Sequence, residues 1–479
     1  MSTAPPASYD AIIIGSGQSG NPLASALTAA GHSTALIEAT HIGGCCINDG
    51  CTPTKTLVAS ARVAYLARRA ASYGITVPTV GVDMPAVRQR KRDIVSSWRS
   101  GSEGRLEKAG VKVVMGKARF TGEREIVVDL VGGGEERMVG KKVFVNVGER
   151  PVVPDLVGLS EVMEKSPDRV LDSTSVQELG VVPGKLLVLG GGYIGLEFGQ
   201  LFRRLGAEVT VVQRADRLAV REDEDIAECL KGILEEDGIE VLVGSQATEI
   251  KMAGGEKLEL TVKSKDGLEK KLEGTHVLLA TGRRPNTDTL DLDKTSVKVN
   301  KRGYIEFNDD LTTSVEGIYV LGDVKGPPAF THVSYDDFRI LRDSLGLNPD
   351  GKIVTRTVKS RDGLVPYCMY TDPQLGHVGL HLHEVPAGTK VKVAKMPMSY
   401  VARALETDEP RGMMKAVVDA ETGKIVGFTC LGIEGGELVS VVQLAMMGGL
   451  HYQQLADAVF AHPAIAECLN NLWGYLEDV

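Results

Sequence analysis

Hydrophobic and polar positions alternate in blocks along the chain. A short apolar run at 9–14 stops at Gly15-Ser16-Gly17-Gln18-Ser19-Gly20. An Ala- and Leu-rich stretch of helical period continues to Gly31, and residues 32–38 form a second apolar run. That order predicts strand, glycine turn, helix, strand. The same block returns at 185–189, followed by Gly190-Gly191-Gly192-Tyr193-Ile194-Gly195, a helix to Gly206 and a strand at 207–213. The copies keep register: Gly20 to Gly31 and Gly195 to Gly206 are both 11 residues. From about 351 onward the pattern changes to antiparallel strands at 390–396, 412–419 and 424–431, with helices from Gly435. Residues 62–110 read as arginine-rich helix, with RQRKRD at 88–93 a solvated face rather than a nucleic-acid patch.

Each repeat suits a dinucleotide. Gly15, Gly17 and Gly20, and again Gly190, Gly192 and Gly195, allow a tight turn and a close backbone approach, so that a pyrophosphate can sit on the helix N-terminus. Glu38, 18 residues after Gly20, can accept hydrogen bonds from ribose hydroxyls. The matching position in the second copy is Gln213, followed by Arg214, with Arg217 and Arg221 close by. A carboxylate there would repel a 2′-phosphate, so its replacement favours NADPH over NADH.

Composition narrows the class. The chain has 479 residues, 43% hydrophobic and 24% charged, which suits a globular protein of about three domains. A net charge of −9 gives no support for nucleic-acid or membrane-surface partners, and no apolar run approaches a membrane span. The N-terminal residues lack a signal-peptide layout, and seven scattered cysteines fit a reducing cytoplasm, where a cysteine pair is catalytic or metal-binding rather than structural.

Such a pair lies in Gly43-Gly44-Cys45-Cys46-Ile47-Asn48-Asp49-Gly50-Cys51-Thr52-Pro53-Thr54-Lys55. Gly50 lets the backbone fold so that Cys46 and Cys51 can meet, and Pro53 suits a first helical turn. A cysteine at a helix start has its thiolate favoured by the macrodipole, and Lys55 is one turn on. The stretch reads as a redox dithiol beside a cation. Because it follows the first glycine turn, FAD is expected there and the nicotinamide donor at the second.

These motifs, with a GxRP-like element at Gly148–Pro151, ATGRRPN at 280–286, Gly322-Asp323 and His462-Pro463-Ala464-Ile465-Ala466-Glu467, resemble the class I pyridine nucleotide–disulfide oxidoreductases over essentially the whole chain. The resemblance implies an α/β fold of two Rossmann-like domains plus a C-terminal α+β dimerisation domain. It implies an FAD domain at 1–154 and 283–350, an NAD(P) domain at 155–282 and an interface domain at 351–479. It also implies roles: Cys51 beside the flavin, Cys46 as the interchange thiol, Lys55 near flavin N5 and paired with Glu197, Asp323 on the ribitol, and Gly282 at the cofactor. His462, oriented by Glu467, would be the acid/base and would come from the partner of an obligate homodimer.

Several stretches, at 209–223, 330–340 and 397–406, resemble the mercuric reductase and reactive-chlorine-resistance branch. A C-terminal vicinal cysteine pair and an N-terminal CxxC domain are not seen, so a dedicated mercury detoxifier is not expected. The expected activity is NADPH-dependent, FAD-mediated reduction of a small disulfide, a thiophilic metal ion or another oxidant. An NAD-linked dihydrolipoamide dehydrogenase and a mainly binding or regulatory flavoprotein are the alternatives. Cys45 stands where the family has Thr, either as a near-isostere or as a third redox or metal-binding sulfur. Asp49 would raise neighbouring thiol pKa values if close. No metal site is expected: His377, His381 and His383 read as a surface loop, the last two sharing a strand face, with no ligand at convincing spacing. Cys229, Cys368 and Cys430 read as small packed residues.

Overall fold

The computed structural model describes residues 5–255, 257–361 and 363–479. The chain divides into two compact units, one of Met1–Thr56, Gln89–Val152 and Gly282–Arg361, the other of Leu57–Arg88, Val153–Thr281 and Asp362–Val479.

In the first unit, Ala7–Ile14 runs parallel to Thr34–Glu38 on one side and Glu135–Val145 on the other. Lys112–Gly122 and Ile318–Val320 extend the parallel sheet at its two ends. Glu125–Leu130 pairs antiparallel with both Lys112–Gly122 and Glu135–Val145. The apolar run is continuous because both faces of this strand are covered. Ala11 and Ile13 pack with Leu23, Ala24 and Leu27 of the helix Gly20–Ala29, while Ile12 and Ile14 join Phe120, Val143 and Val145 on the opposite face.

The second unit repeats the pattern. Lys185–Leu189 lies between Glu208–Val212 and His276–Leu279 in a five-stranded parallel sheet. Its helix, Tyr193–Leu205, buries Leu196, Phe198, Leu201, Phe202 and Leu205. A three-stranded antiparallel sheet, Ser245–Met252, Leu258–Ser264 and Glu269–Gly274, accompanies it. The C-terminal region forms a six-stranded antiparallel sheet, in which Val391–Pro397, Met413–Asp419 and Ile425–Gly432 are neighbours. Leu438, Val439 and Val442 of the helix Gly435–Met447 cover it, against Phe428 and Cys430.

RQRKRD falls in the long helix Met84–Ala109. Gln89, Arg90, Arg92 and Asp93 are exposed, but Lys91 is buried, so the face is not solvated throughout. Among the described residues no helix is long and apolar enough to cross a membrane.

Candidate active site

The two glycine turns are built alike down to individual atoms. A Cβ on the third glycine would fall on the carbonyl of the first, at 2.2 Å for Gly20 on Gly15 and 2.1 Å for Gly195 on Gly190. Only glycine lets the helix start this close to the strand end. The strand-end side chain then holds the turn: Glu38 Oε2 accepts the Ser16 amide at 3.0 Å, and Gln213 Oε1 accepts the Gly191 amide at 3.1 Å. Glu38 also accepts the Ser16 hydroxyl at 2.6 Å and the Thr40 amide at 2.9 Å. Arg214 is exposed and makes no hydrogen bond or ion pair among the described residues, whereas Arg217 donates to the Val220 carbonyl at 3.2 Å.

The dithiol loop is seated directly on the first turn. Gly44, at φ +65°, is so close that a Cβ there would lie 2.5 Å from Gly17 Cα. The Gly43 amide donates to Ser16 Oγ at 2.9 Å, completing a chain from Glu38 through Ser16 to the loop. Cys45 and Cys46 lie in a short helix, Gly44–Asn48, and Cys51 opens the helix Cys51–Arg68. Asn48 clamps the loop by donating to the Gly44 carbonyl at 2.9 Å, and Arg99 donates to Asn48 at 2.9 Å. Gly50 serves by lack of bulk rather than by an unusual φ: a Cβ there would meet the Cys45 carbonyl at 2.9 Å.

Cys46 and Cys51 do meet. A hydrogen bond to Cys51 and then burial push the Cys46 thiol far above its ordinary range. Cys51 Sγ lies 3.4 Å from Thr331 Oγ1. Cys45 presents one side to solvent, but the protein crowded around it pushes its thiol up to about 11. Arg283, 3.8 Å from Cys45 Sγ, opposes that shift, and Asp49 adds to it. Asp49 thus acts on Cys45.

Arg283, Glu149 and Tyr304 were not singled out by sequence. The ribbon pairing Glu149–Pro151 with Arg283–Pro285 brings the first two together. Glu149 Oε2 is 3.4 Å from Arg283 Nε, and Tyr304 donates to Glu149 Oε1 at 2.5 Å. The sequence signals were the GxRP-like element at Gly148–Pro151, which holds Glu149, and the arginines of ATGRRPN. Asp323, on the turn Gly322–Lys325, is raised by burial, with Arg283 and Lys325 opposing.

The other expected residues fall as follows. Lys55 lies one turn after Cys51 on the same helix. Glu197 is buried in the second unit, accepting the Tyr370 amide at 2.7 Å. Gly282 marks the chain's return to the first unit. His462 Nδ1 lies 2.9 Å from Glu467 Oε2 on an exposed stretch. That contact leaves Nε2 for an external group.

One expectation is overturned. His377 and His381 are only 2% and 5% exposed, so they do not form a surface loop. His377 lies in the strand Gln374–Gly379, and His381 precedes the turn Leu382–Glu384, so His381 and His383 do not share a strand face. The polar residues around them misled the reading, because their buried partner, Glu222, is far away in sequence. Cys430 is packed in the interface-sheet core as expected, joined by Cys468.

Comparison with known proteins agrees with this geometry. The model of the pyridine nucleotide-disulphide oxidoreductases matches residues 9–337, and that of their dimerisation domain matches 365–472. The chain is 33% identical to the probable pyridine nucleotide-disulfide oxidoreductase RclA of Escherichia coli, covering 98% of this chain and 99% of that one. It is 32% identical to a mercuric reductase of Staphylococcus aureus, over 96% and 81%, and 31% identical to a dihydrolipoyl dehydrogenase of Bacillus subtilis, over 96% of each. A solved Cu(II) complex of the HOCl-induced flavoprotein disulfide reductase RclA from Escherichia coli superposes with a TM-score of 0.87, at 33% identity over 98% and 99% of the two chains. The chain therefore belongs to the pyridine nucleotide–disulfide oxidoreductase family, as a flavoprotein enzyme that works with FAD and a pyridine nucleotide and carries the family's dimerisation domain.

Proposed function

We propose that this enzyme takes electrons from NADPH and delivers them through FAD and the Cys46–Cys51 pair to a thiophilic metal ion or a small disulfide. The observation that carries the reading is the seating of the dithiol loop on the first glycine turn, Gly44 against Gly17.

The residues fit bound dinucleotides. Ser19 Oγ, at the start of the first fingerprint helix, is buried with no hydrogen-bond partner among the described residues, and a Cβ on Gly192 would meet nothing within 4 Å. Gly15, Gly17, Gly20 and Glu38, with Asp323, would hold FAD. Gly190, Gly192, Gly195 and Gly282 would hold the nicotinamide nucleotide, and Arg214 would meet its 2′-phosphate. Bound FAD supplies the two-electron relay between nicotinamide and disulfide.

The protein's own part is thiol and proton chemistry. The surroundings hold the proton on Cys46, so the thiol needs a base to react. His462, oriented by Glu467 and contributed by a partner subunit, is assigned that role. With a disulfide acceptor, the Cys46 thiolate attacks one acceptor sulfur and His462 returns the proton to the departing thiol. Cys51 then attacks Cys46, releases the second thiol and closes the Cys46–Cys51 disulfide. Lys55 is assigned to the flavin side, and Glu197 is assigned a positioning role. Relatives named mercuric reductase and a neighbour solved with Cu(II) favour a thiophilic metal among the acceptors.

A steady-state comparison of NADPH with NADH, against Hg(II), Cu(II), lipoamide, oxidised glutathione and quinones, tests the reading. NADPH should exceed NADH in kcat/KM by about tenfold or more, equivalent to about 1.4 kcal/mol. Cys46→Ser should lose on the order of 100-fold with the true acceptor. Equal rates in Cys46→Ser would mean that the acceptor draws electrons without the dithiol. Fastest turnover with NAD⁺ and dihydrolipoamide would replace the proposal with a dehydrogenase.

A further inference from the structure

The turn that carries Asp323 is held by a second carboxylate that the dithiol chemistry does not use. Gly322, Val324 and Lys325 of that turn are buried, whereas Asp323 keeps an open side. Asp337, on the helix Thr331–Ser344, is fully buried. Its Oδ2 accepts the Gly322 amide at 2.8 Å and lies 3.3 Å from Lys325 Nζ. One oxygen thus ties the residue before Asp323 and the last residue of the turn. Asp337 Oδ1 pairs with Arg361. Ser334, about one helical turn before Asp337 and on the same face, donates to Asp323 Oδ1 at 3.3 Å.

The turn is also confined from its other side. Gly322 stands at φ +69°, and a Cβ there would lie 2.8 Å from Asn146 Oδ1. Asn146 donates to the Gly15 carbonyl at 3.1 Å, which links the Asp323 turn to the first glycine turn.

The charges divide unevenly among these groups. The Lys325 side chain is 3% exposed, and among the described residues Asp337 is the only carboxylate within ion-pair distance of it. Arg361 has a further partner in Asp336 at 2.8 Å. The Asp323 carboxylate has Ser334 as its only hydrogen-bond partner among the described residues. Burial raises Asp323, and Arg283 and then Lys325 oppose it, so the Lys325 charge is felt at Asp323. A buried ammonium left without a counter-charge is costly. Without Asp337, Asp323 is the carboxylate that Lys325 would draw on.

We infer that Asp337 is a positioning residue for FAD: it fixes both ends of the Asp323 turn and takes the Lys325 charge, which leaves the Asp323 carboxylate free for the cofactor. The inference rests on the assignment of Asp323 to FAD. An apolar pair could fill the same space without desolvating two charges, so the buried pair serves position rather than stability.

The test is a double-mutant cycle on the FAD dissociation constant, read from flavin fluorescence on dilution of the full-length holoenzyme, with circular dichroism as the check of fold. Asp337→Asn keeps an oxygen for the Gly322 amide and removes the charge. Asp337→Asn and Asp323→Asn should each weaken FAD by about tenfold or more. Combined, they should be no worse than Asp323→Asn alone, because Asp337 acts through that carboxylate; a general loosening of the fold would multiply the two losses. In a Lys325→Met background, where no cation competes for Asp323, Asp337→Asn should change FAD affinity by less than about twofold. That arm also decides the matter should Asp337→Asn alone fail to fold. Parent-like affinity in Asp337→Asn, multiplied losses in the combined variant, or a tenfold loss in the Lys325→Met background would each overturn the inference. Parent-like affinity in Asp323→Asn would remove Asp323 from FAD, and this inference with it.

Discussion

Cys45 shows how one residue's chemistry is set by neighbours distant in sequence. Its thiol is pushed up to about 11, chiefly by burial, with Arg283 pulling it down and Asp49 pushing it up. A thiol reacts as its thiolate, so its alkylation rate follows its ionisation. With Cys46 and Cys51 replaced by Ser, the rate at Cys45 should keep climbing with pH to about 11 rather than levelling near 9. Arg283→Met removes the cation 3.8 Å from the sulfur and should move the curve to higher pH; Asp49→Asn should move it lower. Peptide mass spectrometry after timed alkylation reads both. A curve levelling below pH 9, or shifting the opposite way in either variant, would refute this account of Cys45. The residue is thus a thiol held protonated at neutral pH although one side of it meets solvent, which fits the near-isosteric replacement of Thr.

At the scale of elements, the dithiol loop and the first glycine turn act as one piece. Gly44 packs at van der Waals limits on Gly17, and the Gly43 amide is tied through Ser16 to Glu38. Gly44→Ala would place a methyl group 2.5 Å from Gly17 Cα at a φ of +65°. Neither backbone can yield without displacing the turn, so a cost of about 1–3 kcal/mol is expected. The measurable consequence is a lower flavin-to-protein ratio and an earlier thermal transition, with Gly104→Ala, inside the helix Met84–Ala109 where a Cβ meets nothing within 4 Å, as a control that should keep the flavin and raise rather than lower the transition. The repeated modules were legible in sequence because their determinants are local. The same 22-residue separation places Glu38 on the Ser16 amide and Gln213 on the Gly191 amide. Arg283–Glu149 and Tyr304–Glu149 were not legible, since those partners are 134 and 155 positions apart and meet only once the ribbon forms. The histidine cluster was misread for the same reason: Glu222 reaches it from another module.

For the whole molecule, the decisive question is whether His462 serves the dithiol of a second copy. Its ring is 69% exposed and tied to Glu467, and the stretch beside it leaves Val459 fully exposed. Leu444, Met447 and Tyr475 of the same C-terminal region are exposed apolar side chains. Apolar groups concentrated in a dimerisation domain fit a surface that a second copy covers. If the partner supplies His462, two dead variants can rescue each other. Cys46→Ser and His462→Ala homodimers should each lose on the order of 100-fold in dithiol-dependent turnover. Dissociated together and reassociated, half of the dimers are mixed, and each mixed dimer has one site with both an intact Cys46 and an intact His462. Activity should therefore return to about a quarter of the wild-type value, and only under conditions that allow subunit exchange. A histidine acting within its own chain predicts no recovery, because every chain in the mixture lacks either the thiol or the imidazole. Exchange can be followed independently with differently tagged subunits, so absence of rescue in a mixture shown to contain mixed dimers would dismiss the shared site, whereas rescue near one quarter would assign His462 to the partner's dithiol.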